Sequence, residues 1–338
     1  MRLLHGVVPG LWLLGWLSGM GTGLAQPAAA GVSKGTGDGG LLHARLRGVA
    51  SSRVFGNVNH DDARAALKVW FAAAGQQNGY VLDTAVDIVN SAAEMKERLE
   101  SHSVDLLMMG MLDYVELEGS NLAAPVLTDA RSAQGAAPYS YVLVANPSSG
   151  ATSLAGLRGK KLLVYGRGAG DTAVAWVEVL LGKEKLGRAA SFFASVQMPV
   201  KPQSCILPVF FGTADACVVD EVNLNLAREI NPQLGQLRVI ARSRPMIESV
   251  IAVPADTASR QKGLIEDILS LDRDSRGRQL LMVFKTERMV RIQPGDLDAG
   301  RELWRDYFRL PGTSPNRPVV FEAEMAAGAA ADRGRGGH

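Results

Sequence analysis

Gly166-Arg167-Gly168-Ala169-Gly170-Asp171 is the segment of this 338-residue chain whose residue types most invite chemistry. It stands between a β-prone run and a helical apolar period, where free backbone N–H groups and the helix dipole favour a phosphate or a carboxylate. As a dinucleotide fingerprint it fails, because Asp171 occupies the position that needs Gly or Ala, and no lysine follows as in a P-loop. Asp171 equally suits the N-cap of the helix. Thr172 adds a hydroxyl at the helix mouth and Arg167 a positive charge. At the end of the apolar run 214–219, Asp220 could receive a ligand donor or a cation, while Glu221 fits the first turn of a helix. No Gly-x-Ser-x-Gly elbow, no Cys and His in catalytic contexts and no clear carboxylate pair occurs, so binding is favoured over catalysis. The five histidines are scattered and Cys-x-x-Cys is absent, which argues against a transition-metal site, and nothing implies a cofactor.

A weak internal echo suggests what positions these residues. The run from Phe55 to Asp61 returns as Tyr165 to Asp171, and the run from Val104 to Gly110 returns at the same offset as Ala214 to Asp220. In the first pair, β-prone residues 52–55 and 162–165 end in Gly and a loop, then give way to helices with Ala63, Ala66, Leu67, Trp70 and Phe71 on one face, or Ala173, Val174, Val177, Leu180 and Leu181. The second pair reads as short strands buried on both faces. Ser91 to Glu94 forms a capping box for the helix before the first of them. Pro202 opens the counterpart helix, which Pro208 should kink or delay. Asp105 and Asp215 open their strands at the far end, where capping suits them.

Two βαβ-type lobes follow, with the carboxyl ends of their strands at a shared crevice, so that Gly110 and Asp220 face each other. Segments 139–145 and 236–241 are expected as two hinge crossings. After them come a strand at 249–253 and helices near 258–271, 275–284 and 297–308, completing the first lobe. The expected organisation is 51–138 with 242–310 for lobe one and 139–241 for lobe two.

Apolar residues at 47% with 21% charged describe a globular core, and a net charge of +2 gives no field that argues for nucleic acid. Arg2, a short apolar run and Gly23-Leu24-Ala25 read as an export segment, 1–25, cleaved after Ala25. The mature chain is then free in an oxidising compartment, where Cys205 and Cys217 either pair or stay two small buried hydrophobes. Residues 26–50 and the tail 311–338 are too poor in apolar surface to order and are expected to be flexible.

The stretch from Arg53 to Arg291 resembles the periplasmic substrate-binding proteins of phosphate, phosphite and phosphonate ABC transporters. The likeness rests on Val104 to Gly110, on Leu237-Arg238-Val239-Ile240-Ala241-Arg242-Ser243-Arg244-Pro245, and on the order of elements between them. It implies an α/β type II binding-protein fold, two lobes joined by two crossings and closing on a ligand, with an ABC permease as partner. The family's pocket has a tyrosine before the strand-end glycine, a Ser-Thr-Ser-Gly turn and a helix-opening histidine. Here Met109 precedes Gly110, Gly170-Asp171-Thr172 stands near the turn, and Pro202-Gln203-Ser204 occupies the histidine's region. Asp171 would repel a dianionic phosphonate by about 4 kcal/mol at hydrogen-bond distance and intermediate dielectric. The expected pocket is Ser91, Met109, Gly110, Arg167, Gly170, Asp171, Thr172, Gln203, Ser204 and Asp220. The alternative is a sensor or scaffold of the same fold with a degenerate pocket, acting on a membrane receptor.

Overall fold

A computed structural model describes residues 42–55, 59–65, 67–68, 80–130, 139–166, 168–283, 286–314 and 319. The expected export segment 1–25, residues 26–41, Ala66, Trp70, Phe71, Arg167 and the tail beyond 314 apart from Val319 lie outside the described residues.

Strands β1 (Leu42–Ser51), β2 (Tyr80–Val89), β3 (Leu106–Gly110) and β4 (Ala123–Ala130) open the fold. The chain then crosses to β5 (Tyr141–Ala145), β6 (Lys161–Val164), β7 (Ser195–Gln197), β8 (Ala216–Asp220) and β9 (Arg238–Arg242). It returns for β10 (Ser249–Pro254) and β11 (Arg288–Arg291). Two sheets result, in the orders β11-β4-β10-β3-β1-β2 and β7-β6-β8-β5-β9. In each, three parallel strands adjoin one antiparallel strand, and that strand, β10 or β5, is the first laid down after a crossing. The repeated order bears out the expected two-lobed type II fold.

Alternation along the strands gives each sheet two buried faces. In β3, Leu107 and Met109 join one apolar cluster and Leu106 a second. In β8, Ala216 and Val218 join the first, whereas Cys217 and Val219 lie in a third with Cys205. Both cysteines are free and fully buried. The Cys205 thiol donates to the Val218 carbonyl at 3.2 Å, and burial together with that neighbouring thiol pushes Cys217 up.

The echo is real but not of constant spacing. Leu106 to Gly110 and Ala216 to Asp220 are equivalent strands, each ending at the N-cap of a helix: α3 (Met111–Glu118) follows Gly110 and α6 (Glu221–Ile230) follows Asp220. Upstream, Ala50 pairs with Met108 while Val164 pairs with Val218, so the first strands are offset by 114 where the second are offset by 110. The strand expected at 52–55 is instead helix α1 (Ser52–Phe55), begun where Ser51 Oγ accepts the Arg53 N–H at 3.2 Å. The strand itself is β1, which also corrects the expected flexibility of 26–50 over its last nine residues. Charged positions hide it in the sequence, but Asp105 neutralises Arg47 through bonds of 2.8 and 3.0 Å. The matching far-end carboxylate, Asp215, accepts the Lys161 N–H at 2.8 Å.

Helix α2 (Ala92–Glu100) begins at the expected box, with Ser91 Oγ accepting the Glu94 N–H at 3.2 Å. The helix α4 (Asp171–Lys183) follows the glycine loop, and α5 (Gln203–Phe210) runs through Pro208 without stopping. Segments 139–145 and 236–241 are not the crossings themselves but mostly β5 and β9, because all five residues of β5 are buried in the sheet. Among the described residues, the connections between the sheets meet at Tyr139 and, within 243–248, Met246, which exchange backbone hydrogen bonds of 2.7 and 2.9 Å.

The last helix, α7 (Asp298–Phe308), was expected in lobe one but braces both. Arg301 pairs with Glu118 of α3, and Lys183 of α4 reaches Asp306 at 2.9 Å. Small residues allow the approach: a Cβ at Gly300 would lie 2.8 Å from Met111, and one at Gly182 2.6 Å from Leu310. Residues 311–314 extend this brace, Arg188 Nη1 donating to the Pro311 carbonyl at 2.7 Å, and Val319 is buried in the shared core. The flexibility expected from 311 therefore does not hold at these residues: Pro311 is bonded to Arg188, and the Thr313 hydroxyl donates to the Tyr307 and Leu310 carbonyls.

Candidate functional site

At the carboxyl end of β1, α1 carries Arg53 toward the second lobe. At the carboxyl end of β6, the glycine loop turns into α4. The two meet. Arg53 Nη1 donates to Asp171 Oδ2 at 2.7 Å, and the Ala169 N–H donates to the Arg53 carbonyl at 2.9 Å. Gly168 has φ +53°, and a Cβ there would lie 2.5 Å from that carbonyl, so only glycine permits the backbones to come this close. Arg53 Nε also lies 3.4 Å from Asp113 Oδ1.

Asp113 is buried on the first turn of α3, accepting the Gly110 N–H at 3.3 Å. Burial raises its pKa, against the pull of Ser51, Arg53 and the Gly110 N–H. Asp171 is raised for the same reason despite Arg53. Glu116, further along α3, is pushed up to about 7 by desolvation and by Asp113, with Arg53 opposing. Three carboxyl groups thus surround one guanidinium.

The sign of the resulting pH dependence follows directly. Between its ordinary 4.5 and about 7, Glu116 keeps a proton in the folded chain that the unfolded chain releases. Stability is therefore highest on the acid side of this window and declines as pH rises through it. Asp113 and Asp171, also raised, act in the same direction from lower pH. Urea denaturation between pH 5 and 8 should show the decline, and Glu116→Gln should flatten it above pH 6; a slope unchanged by this substitution would contradict the assignment.

The structure separates the residues expected to form the pocket. Gly110, Gly170, Asp171 and Thr172 lie at the helix mouths beside Arg53. Gly170, at φ +81°, is the N-cap and Asp171 the first helical residue, so the expected capping by Asp171 gives way to pairing with Arg53. Met109 is corrected to the core: pleating turns its side chain inward, leaving it 1% exposed. Ser91 spends its hydroxyl on Glu94. Gln203 and Ser204 are exposed at the start of α5. Asp220 is wholly buried and caps α6, Oδ1 accepting the Asn223 N–H at 2.9 Å. Gly110 and Asp220 do occupy equivalent places beside the crossings: Met111 N–H donates to the Glu248 carbonyl and Glu221 N–H to the Ser140 carbonyl. Tyr141, opposite Asp220, hydrogen-bonds Glu248 through its hydroxyl. Arg53 and Asp113 escaped the sequence reading, and a repeat registered on β1 rather than on Phe55 would have placed Arg53 next to the glycine loop.

Among the described residues no group of side chains is spaced to hold a metal ion, and no helix is long and apolar enough to cross a membrane. A hollow of about 340 Å³ lies on α7, away from the cleft, lined by Arg301, Asp306 and neighbouring charges that already pair with Glu118 and Lys183.

Among solved structures the chain is similar to XAC2383 from Xanthomonas citri bound to ATP, at 17% identity and TM-score 0.54, covering 78% of this chain and 97% of that one. It is also similar to PhnD1 from Prochlorococcus marinus in complex with methylphosphonate, at 16% identity and TM-score 0.49, covering 79% and 99%. The likeness to XAC2383 concerns the fold alone. Nothing among curated proteins matches the chain. A family model described as ABC transporter, phosphonate, periplasmic substrate-binding protein matches residues 55–297, a span that takes in strands of both sheets and both crossings. The chain belongs to that family of periplasmic substrate-binding proteins.

Proposed function

We propose that this protein captures a small solute between its lobes and passes it to an ABC permease in the membrane. One observation carries the reading: Arg53 at the end of β1 meets the glycine loop at the end of β6, so carboxyl ends of parallel strands from both sheets share one crevice. The solute contacts we assign are Gly110, Gly170, Asp171 and Thr172, with Arg53 added and Arg167 completing the loop. Asp220 orients α6 rather than touching the solute. The family model describes substrate-binding proteins, so we assign the protein to binding rather than to catalysis. Residues 1–25 direct export and are removed after Ala25, leaving the mature chain free in the periplasm. Lobe one comprises 51–138 and 242–310, extended by β1 back to residue 42, and lobe two comprises 139–241.

Thermal denaturation of the mature protein against inorganic phosphate, methylphosphonate, carboxylates and small amines tests the reading. A solute that raises Tm and binds one to one by calorimetry is the expected result. Failure of every member of the panel to stabilise the protein would overturn it.

A further inference from the structure

We propose that Arg53 is a tethered latch, its guanidinium standing in the cleft where a solute would sit and holding the lobes together in the ligand-free protein. The inference takes from the solute-capture reading only the meaning of closure. The contact itself is in the structure: the side chain of Arg53 bonds Asp171 at 2.7 Å and approaches Asp113 at 3.4 Å, and its backbone carbonyl receives the Ala169 N–H at 2.9 Å. One residue of lobe one is thus held by side chain and backbone in lobe two, while also facing a carboxylate of its own lobe.

Charge decides what the latch does. Asp113 and Asp171 together exceed the single positive charge of Arg53, and Glu116 adds to the excess as it ionises. Withdrawing the guanidinium leaves like charges facing each other across the cleft, which pushes the lobes apart. A dianionic solute entering beside the latch adds to the negative excess, so it must compete with Asp171 for Arg53. A cationic group, in contrast, could replace the guanidinium and keep the cleft shut. Gly168 fits the same scheme, since its missing side chain is what lets the Arg53 backbone reach the loop.

Small-angle scattering of the full mature chain without solute tests the latch, with far-UV circular dichroism confirming that each variant is folded. Native protein should already be compact. Arg53→Ala and Asp171→Asn should each shift the profile to a larger radius of gyration. Millimolar methylguanidinium should restore the compact profile of Arg53→Ala, and sodium chloride at equal ionic strength should not. Compactness unaltered by both substitutions, or a native protein already extended, would overturn the latch. A solute found by the thermal panel would leave capture standing in that event, whereas a working latch with no solute found would count against capture alone.

Discussion

Trp304→Ala should lower the free energy of unfolding by about 3–5 kcal/mol, the loss expected when a large aromatic is deleted from a packed interior. Trp304 is fully buried, packs edge-on against Tyr307 with ring centroids 5.5 Å apart, and lies 5.9 Å from Phe308. Its indole N–H finds no acceptor among the described residues, so the loss reports packing rather than a hydrogen bond. The surrounding cluster includes Met111 and Val250 from one lobe and Trp176 and Val177 from the other. The cost should therefore appear as weaker cohesion of the whole molecule in urea denaturation, with Trp304→Phe retaining most of the stability. A loss of under about 1 kcal/mol would show that α7 does not brace the lobes.

Removal of Arg188 should cost nearly as much. Its Nε donates to Glu178 at 2.9 Å, and the Glu178 side chain is only 2% exposed. The same carboxylate accepts the Ala189 N–H at 3.2 Å. Breaking a buried pair from one side takes the counter-ion from the remaining charge, worth about 3–5 kcal/mol when both partners are enclosed. Arg188 is partly exposed, so Arg188→Ala is expected at about 2–3 kcal/mol. Replacing both partners by Met removes the buried carboxylate along with the arginine and should recover most of that loss. Chemical denaturation of the single and double variants checks this. A double variant as unstable as Arg188→Ala would point to lost packing by the arginine stem instead.

What the sequence disclosed follows from how each segment is buried. The runs ending at Gly110 and Asp220 are continuous apolar stretches because both their faces are covered, and such stretches stand out without any partner in view. Strand β1 did not stand out, since Arg45 and Arg47 interrupt it. Its identity depends on parallel pairing with β2 and β3 and on Asp105, all remote in the chain. Missing it moved the echo by four residues and hid Arg53, whose partner Asp171 is 118 positions away. The glycine loop was legible as a helix mouth, but its neighbour was not. Free backbone donors suggested an external anion, and the structure supplies instead an internal carboxylate paired with an arginine from the opposite lobe. Met109 failed as a pocket residue for a different reason: the family's pattern places a side chain there, while pleating in this chain directs it into the core.

The position of β10 between β3 and β4 has a consequence for how the molecule assembles during synthesis. The second sheet is made from one uninterrupted stretch and has all its strands once residue 242 has left the ribosome. The first sheet must wait with a gap at its middle until residue 254, and with an unpaired rim until 291. Nascent chains should therefore complete the inserted half before the half that begins the polypeptide, and arrest between these points leaves open edges prone to aggregation.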